Sequence, residues 1–317
     1  MAEKKKLSKM YKEVMTDSFP DNLTITIGDK KLQYKKRQWD FEGKKTGLRY
    51  GDNPGQEAAL YELKEGNLEL SGLKYASPDD SIISNLAEKD IVETGKSISK
   101  SNLTDVDAAI NILKYFDEPT VVIMKHNNPS GVASRSSIKD AYITANITDR
   151  IAAFGGVVAV NKPIDSETAG EISKNYVEVV AAPKFEKGAI EILPQKKNMR
   201  LLTIPKLASL KDYRKKRYLE FKSLLDGGII IQQSADNELA KEAIMAAEAE
   251  YKGVSYAIKR KPSEREIEDM LFAWKVVQGV ISNSMVFVKD KATVAIGTGS
   301  RTGSGQLNLP LQRLTKN

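Results

Sequence analysis

Val121-Val122-Ile123-Met124-Lys125-His126-Asn127-Asn128-Pro129-Ser130-Gly131 decides how the rest of the chain is read. Its first four residues are a short apolar run rich in β-branched side chains, which predicts a buried strand. Asn, Pro, Ser and Gly then predict the turn that leaves it. Lys125-His126 stands at the junction. His126 is the only histidine, and cysteine is absent. An ordinary proton acceptor near neutral pH can therefore come only from this imidazole. Taken alone, a histidine at a strand end is better explained by a structural hydrogen bond.

The same rhythm extends on both sides. Residues 138–147 carry helical spacing, and 153–160 form a Gly-led apolar run. A helix is expected over 166–176 with Ser166 as its cap, then a strand over 177–183, a helix over 185–193 and a strand over 199–204. Upstream, Val106, Ala109, Ile110, Leu113 and Phe116 recur at helical spacing within 96–116, with Asn102 as the expected N-cap. Alternating strands and helices predict a three-layer α/β sandwich on a parallel or mixed sheet. Ligands of such sheets gather outside the carboxyl ends of strands. Lys125-His126 and Phe154-Gly155 lie at strand boundaries of this kind.

The flanks are less regular. A helix is expected over 7–15, a hairpin over 23–34 turning at Gly28-Asp29, and a helix over 57–63. Gly47 to Gln56 is a turn-rich loop holding Arg49, whose planar fork suits a phosphate or carboxylate; a surface ion pair explains it equally simply. Residues 207–217 are basic and poor in β-branched residues, which marks a boundary. The expected division is 1–45 as a helix and hairpin lead-in, 46–206 as a first half carrying Lys125-His126, and 207–317 as a second, shortened half. Within the last, a strand is expected over 228–233, helices over 237–251 and 264–277, and strands over 285–288 and 293–296 before the loop Gly297-Thr298-Gly299-Ser300.

Composition narrows the classes. The chain has 317 residues, 41% hydrophobic and 29% charged, with net charge +7. This fits a globular protein with a sizeable core. No apolar run reaches the ~20 residues that cross a bilayer, and no secretory pattern is present, so a cytoplasmic protein is expected. A chain without cysteine and with one histidine offers no ordinary zinc set, so no metal is expected. The positive charge suits phosphate or carboxylate partners. The basic residues are dispersed and lack an aromatic-interleaved stripe, which argues against nucleic acid.

A series of blocks then follows one order: Phe19-Pro20-Asp21-Asn22-Leu23-Thr24, Leu48-Arg49-Tyr50-Gly51-Asp52-Asn53-Pro54, Asn102-Leu103-Thr104-Asp105, Lys125-His126, Ala153-Phe154-Gly155-Gly156, Glu178, Arg200-Leu201-Leu202, Phe272-Ala273-Trp274-Lys275 and Ser282-Asn283-Ser284. In this order the chain resembles the transformylase part of bifunctional purine biosynthesis proteins, the 5-aminoimidazole-4-carboxamide ribonucleotide (AICAR) formyltransferases. The resemblance implies a cytidine-deaminase-like α/β fold in two related halves, the second incomplete here, without the deaminases' zinc. It implies formyl transfer from 10-formyltetrahydrofolate, as co-substrate, to the 5-amino group of AICAR on the way to IMP. It further implies a homodimer, with His126 as proton acceptor and Lys125 stabilising the transition state. Arg49, Tyr50, Asn102, Phe154, Gly155, Glu178 and Asn283 match nucleotide-contacting positions.

Three departures shape the expectations. A cyclohydrolase domain is missing from the sequence. Arg301, the match for a folate-contacting arginine, comes early after the glycine loop. The chain also stops at Asn317, well short of the family's usual end, so a second polypeptide is expected to supply the remainder or the folate site to be reduced. The alternative is a non-catalytic nucleotide-binding homologue or subunit.

Overall fold

In a computed structural model, residues 17–299 are described, apart from 42, 54, 95, 236–238 and 246–247. The expected helix over 7–15 and Arg301 lie outside the described residues.

Six strands make the central sheet: β1 (Ile91–Glu93), β2 (Thr120–Lys125), β3 (Asn128–Ser134), β4 (Gly156–Val160), β5 (Val177–Ala182) and β6 (Arg200–Thr203). Their spatial order is β3-β2-β4-β5-β6-β1. β4, β5 and β6 run parallel, while β2 is antiparallel to β4 and β1 to β6. Successive residues of each strand point to opposite faces, so one apolar run feeds two cores. Val122 and Met124 face the core built with α1 (Lys100–Leu113), whereas Val121 and Ile123 face α2 (Ile138–Thr148), α3 (Ser166–Ser173) and α4 (Lys187–Ile192). Helices thus cover both faces, and all four side chains are buried. Each such burial is worth roughly 1.5–3 kcal/mol. Gly131 is obligatory on β3, because a Cβ there would sit 1.9 Å from the Ala145 carbonyl oxygen of α2.

Several local expectations are corrected. Residues 57–63 are not a helix: Leu60–Glu65 is a strand that pairs with Lys30–Arg37, and Leu63 joins Leu32 and Leu68 in a small separate core. Sheet pairing and that burial outweigh a weak helical propensity. Only Lys241–Met245 is helical within the described part of 237–251, and Glu248–Tyr251 is a strand paired with Val254–Ala257. The turn Lys252-Gly253, both with positive φ, has the chemistry of a two-residue hairpin. Ser99, not Asn102, is the N-cap of α1, and Asp165, not Ser166, caps α3.

Residues 205–213 form a 3-10 segment whose Leu207 and Leu210 are buried in the core with α1. α5 (Glu264–Val277) starts at the Ser263 cap and packs on the same core through Phe272 and Val276. Phe272 meets Phe116 with ring centroids 5.0 Å apart.

Candidate active site at one edge of the sheet

The candidate residues collect at one edge of the sheet. There β1 and β2 end while β4, β5 and β6 begin. The carboxyl-end rule holds for β2 but not for the parallel trio, which offers its amino ends. β2 runs against β4, so its carboxyl end falls beside their starts.

Lys125 is the last residue of β2 and Asn128 the first of β3, and the two pair directly. His126 and Asn127 form the two-residue loop, with φ of +54° and +58°. The turn leaves the strand at His126, and the imidazole is exposed. Its ring has no hydrogen-bond partner among the described residues, and the Asp105 carboxylate on α1 interacts with its charge. Lys125 turns toward the start of β4 and donates to the Phe154 carbonyl oxygen at 2.6 Å. Asn128 ties the loop down: its amide donates to the His126 carbonyl at 3.2 Å, and its Oδ1 accepts from the Ile281 N–H at 3.0 Å and the Thr298 hydroxyl at 2.8 Å. The 281–298 segment, which carries Asn283, is thereby fastened to the histidine loop. Asn283 itself is exposed.

The amino end of α1 supplies the second group. Ser99 and Asn102 make a reciprocal capping box, which satisfies donors that a helix start leaves open. Asn102 also donates to a Glu178 carboxylate oxygen at 3.3 Å. Glu178 lies near Tyr176, whose hydroxyl donates to it at 3.4 Å, and within 3.6 Å of the Arg200 guanidinium. Tyr176 packs against the largely exposed ring of Phe154 at 5.0 Å. Burial, then the Glu178 charge, pushes the Tyr176 phenol up. Gly155 holds φ +72° between Phe154 and β4 and donates its N–H to the Tyr176 carbonyl at 2.8 Å.

Two arginines are buried here and treated very differently. Arg200 is satisfied: Nε donates to Lys96 O at 2.8 Å, Nη1 to Asn198 O at 2.9 Å and Nη2 to Ser97 O at 3.2 Å. Burial, and then the charge of Arg49, pull its acidity toward the neutral form. Arg49 is 2% exposed, and among the described residues its Nε and Nη1 have no hydrogen-bond partner. Its remaining contacts are with Tyr50, through an Nη2–hydroxyl bond of 3.0 Å and a guanidinium 4.5 Å from the ring centroid. Each buried unsatisfied donor costs about 1–3 kcal/mol, more when charged. An anion supplied from outside would remove that cost. Glu93 nearby is pushed up by burial.

The structure therefore brings together Lys125, His126, Asn102, Phe154, Gly155 and Glu178, with Arg49 and Tyr50 on the adjoining loop held by the Arg49 N–H bond to Ile98 O. Sequence reasoning assigned no role to Arg200, Tyr176 or Asp105. The three-residue spacing of Asn102 and Asp105 on one helix face was a usable signal; Arg200 had none. Among the described residues no group of three or more His, Cys, Asp or Glu is placed to hold a metal, and no helix is long and apolar enough to cross a membrane.

Residues 6–309 match the family model for the AICARFT/IMPCHase bienzyme. The chain is 40% identical over 290 residues to a bifunctional purine biosynthesis protein PurH of Caldicellulosiruptor bescii, covering 91% of this chain and 48% of that protein. It is 39% identical over 274 residues to the PurH protein of Persephonella marina, covering 85% and 46%. With the PurH protein of Bacillus cereus strain AH187 it shares 35% over 303 residues, covering 95% and 50%. The chain spans about half the length of the curated relatives it matches. It belongs to the AICARFT/IMPCHase bienzyme family.

Proposed function

We propose that this member of the family transfers the formyl group of 10-formyltetrahydrofolate to the 5-amino group of AICAR, a step of purine biosynthesis. The observation that carries the reading is an exposed imidazole, its ring free of hydrogen bonds among the described residues, on the same sheet edge as a buried, half-satisfied Arg49. A nucleotide offers what each lacks: an anion for the guanidinium and an amine proton for the ring.

The amine is conjugated with an electron-poor ring and is a weak nucleophile. As its nitrogen bonds to the formyl carbon, His126 takes the departing proton, which is general-base work worth ~10²–10⁴-fold. The bond from the formyl carbon to the folate N10 breaks, and N10 leaves with a proton. Lys125 places an ammonium where negative oxygen develops. Arg49 and Tyr50 receive the anionic end of the nucleotide; Asn102, Phe154, Gly155, Glu178 and Asn283 position the base and ribose. Arg301 is the proposed folate contact, its cation suited to the glutamate carboxylates.

The same reading extends to a cytidine-deaminase-like fold in two related halves, divided near residue 207, to a homodimer and to work in the cytoplasm. The mixed sheet with helices on both faces supports the first of these.

The test is direct. Purified chain, AICAR and 10-formyltetrahydrofolate should yield tetrahydrofolate, followed by absorbance, and His126→Ala should lower kcat by ~10²–10⁴-fold. An unchanged rate in that variant would overturn the assignment of the base. Calorimetric AICAR binding without turnover under any condition would instead support a nucleotide-binding homologue that is not an enzyme.

A further inference from the structure

We propose that Asp105 is the positioning residue of this site: its buried carboxylate holds the His126-Asn127 turn in left-handed form and so sets where the imidazole is presented. The inference rests on the reading of His126 as the proton acceptor.

The turn needs such support. Both loop residues have positive φ and neither is glycine. Two-residue hairpin loops of this kind favour Asn-Gly, Asp-Gly or Gly-Gly, because a Cβ is strained there. Asn tolerates the conformation and histidine less so. Residues in such regions persist only when their surroundings over-determine them, and they cluster at functional sites.

Asp105 supplies that determination from beneath. It lies on α1 and is buried. One carboxylate oxygen accepts the Asn127 N–H at 2.6 Å, and the His126 backbone N–H lies close enough to favour its charged form. An N–H of the left-handed loop thus points at a buried anion, as N–H groups do in backbone anion nests. Burial pushes the Asp105 carboxyl up, and these two donors oppose it. Asn102, three residues earlier on the same helix face, reaches Glu178. One helix face therefore addresses both the base loop and the carboxylate on β5. Asp105 bonds to backbone and touches no substrate in this scheme; it acts through the loop and through its charge near the His126 ring.

The experiment uses the full 317-residue chain and the variants Asp105→Ala and Asp105→Asn. Histidine-selective labelling gives one imidazole in the spectrum, since His126 is the only histidine. In Asp105→Ala the His126 ring signals should move and broaden, and the Asn127 amide should lose its downfield position. kcat should fall at least ~10-fold with KM for AICAR changed less than ~3-fold. Asp105→Asn keeps an acceptor oxygen, so it should recover part of both signals and rate. Should Asp105→Ala fail to fold, Asp105→Asn alone gives both readouts, each lying between wild type and complete loss. Ring and Asn127 signals identical to wild type in a folded variant would overturn the proposal, as would moved signals with kcat unchanged. Wild-type protein without formyl transfer would overturn the functional reading instead, while the spectra still report whether Asp105 holds the loop.

Discussion

The strands Thr120–Lys125 and Ile229–Gln233 both carry an unbroken run of large aliphatic residues, and they end in opposite surroundings. Val121, Val122, Ile123 and Met124 are at most 1% exposed. Ile229, Ile230 and Ile231 are 64%, 51% and 49% exposed. The first run has a strand on either side and helices over both faces. Among the described residues the second pairs only with Leu219–Ser223, and exposed Phe221, Leu224 and Leu225 extend its apolar surface. An apolar run demands cover on two faces, and the rest of the chain decides whether cover arrives. Where cover is complete the sheet edge becomes rigid enough to hold a strained histidine loop. The hairpin has no such backing among the described residues, and no proposed nucleotide-binding residue falls on it.

The largest test of this contrast is a matched pair of truncations. Ile123→Ala should lower unfolding free energy by about 2–5 kcal/mol in urea titrations. Ile230→Ala should change it by less than about 0.5 kcal/mol. A comparable loss at both positions would break the comparison, because it would show the hairpin covered in solution. Next in size, Arg200→Met strands four backbone carbonyl acceptors, of Lys96, Ser97, Glu178 and Asn198, and should cost about 3 kcal/mol. Arg49→Met removes a guanidinium with two open donors, so stability should stay within about 1 kcal/mol while AICAR affinity drops at least ~10-fold; calorimetry reads both. Equal destabilisation by the two arginine changes would sink the distinction between the satisfied and the waiting guanidinium.

The smallest effect belongs to the start of α5. Arg260, and then the Ser263 N–H and hydroxyl, hold the Glu266 carboxyl down at about 2. A lowered acid stabilises the folded state above its unfolded range and loses that contribution as pH falls toward the folded value. The stability gap between wild type and Glu266→Gln should therefore close as pH drops from about 4.5 to about 2. The pair faces solvent, with side chains 73% and 45% exposed, so added salt should narrow the gap at every pH. A gap independent of pH would assign the effect to hydrogen bonding alone.

Legibility followed range along the chain. The helix expected over 264–277 is α5 with those bounds, and its Ser263 cap bonds with Glu266 three residues on. At α1 the same chemistry was placed three residues late, because Ser99 and Asn102 are both plausible caps and only backbone geometry chooses between them. Leu60–Glu65 is spelled with helix formers yet is a strand, since its partner Lys30–Arg37 lies far away in sequence. Asp105 had no legible role, because its hydrogen-bond partner is the backbone of Asn127 on another element.

Letters alone determined that one imidazole must serve any ordinary base chemistry, that strands and helices alternate from about residue 100 to 204, and that Lys125-His126 closes a buried strand. Those are properties of composition and of neighbours in sequence. Tertiary structure alone decided that β2 runs against β4, which brings its end beside the beginnings of the parallel strands. It also decided that Arg49 is buried with donors to spare and that Asp105 lies under the histidine loop. Each of these depends on groups distant in sequence meeting at close range, where burial raises the cost of every unmatched charge and the value of every matched one.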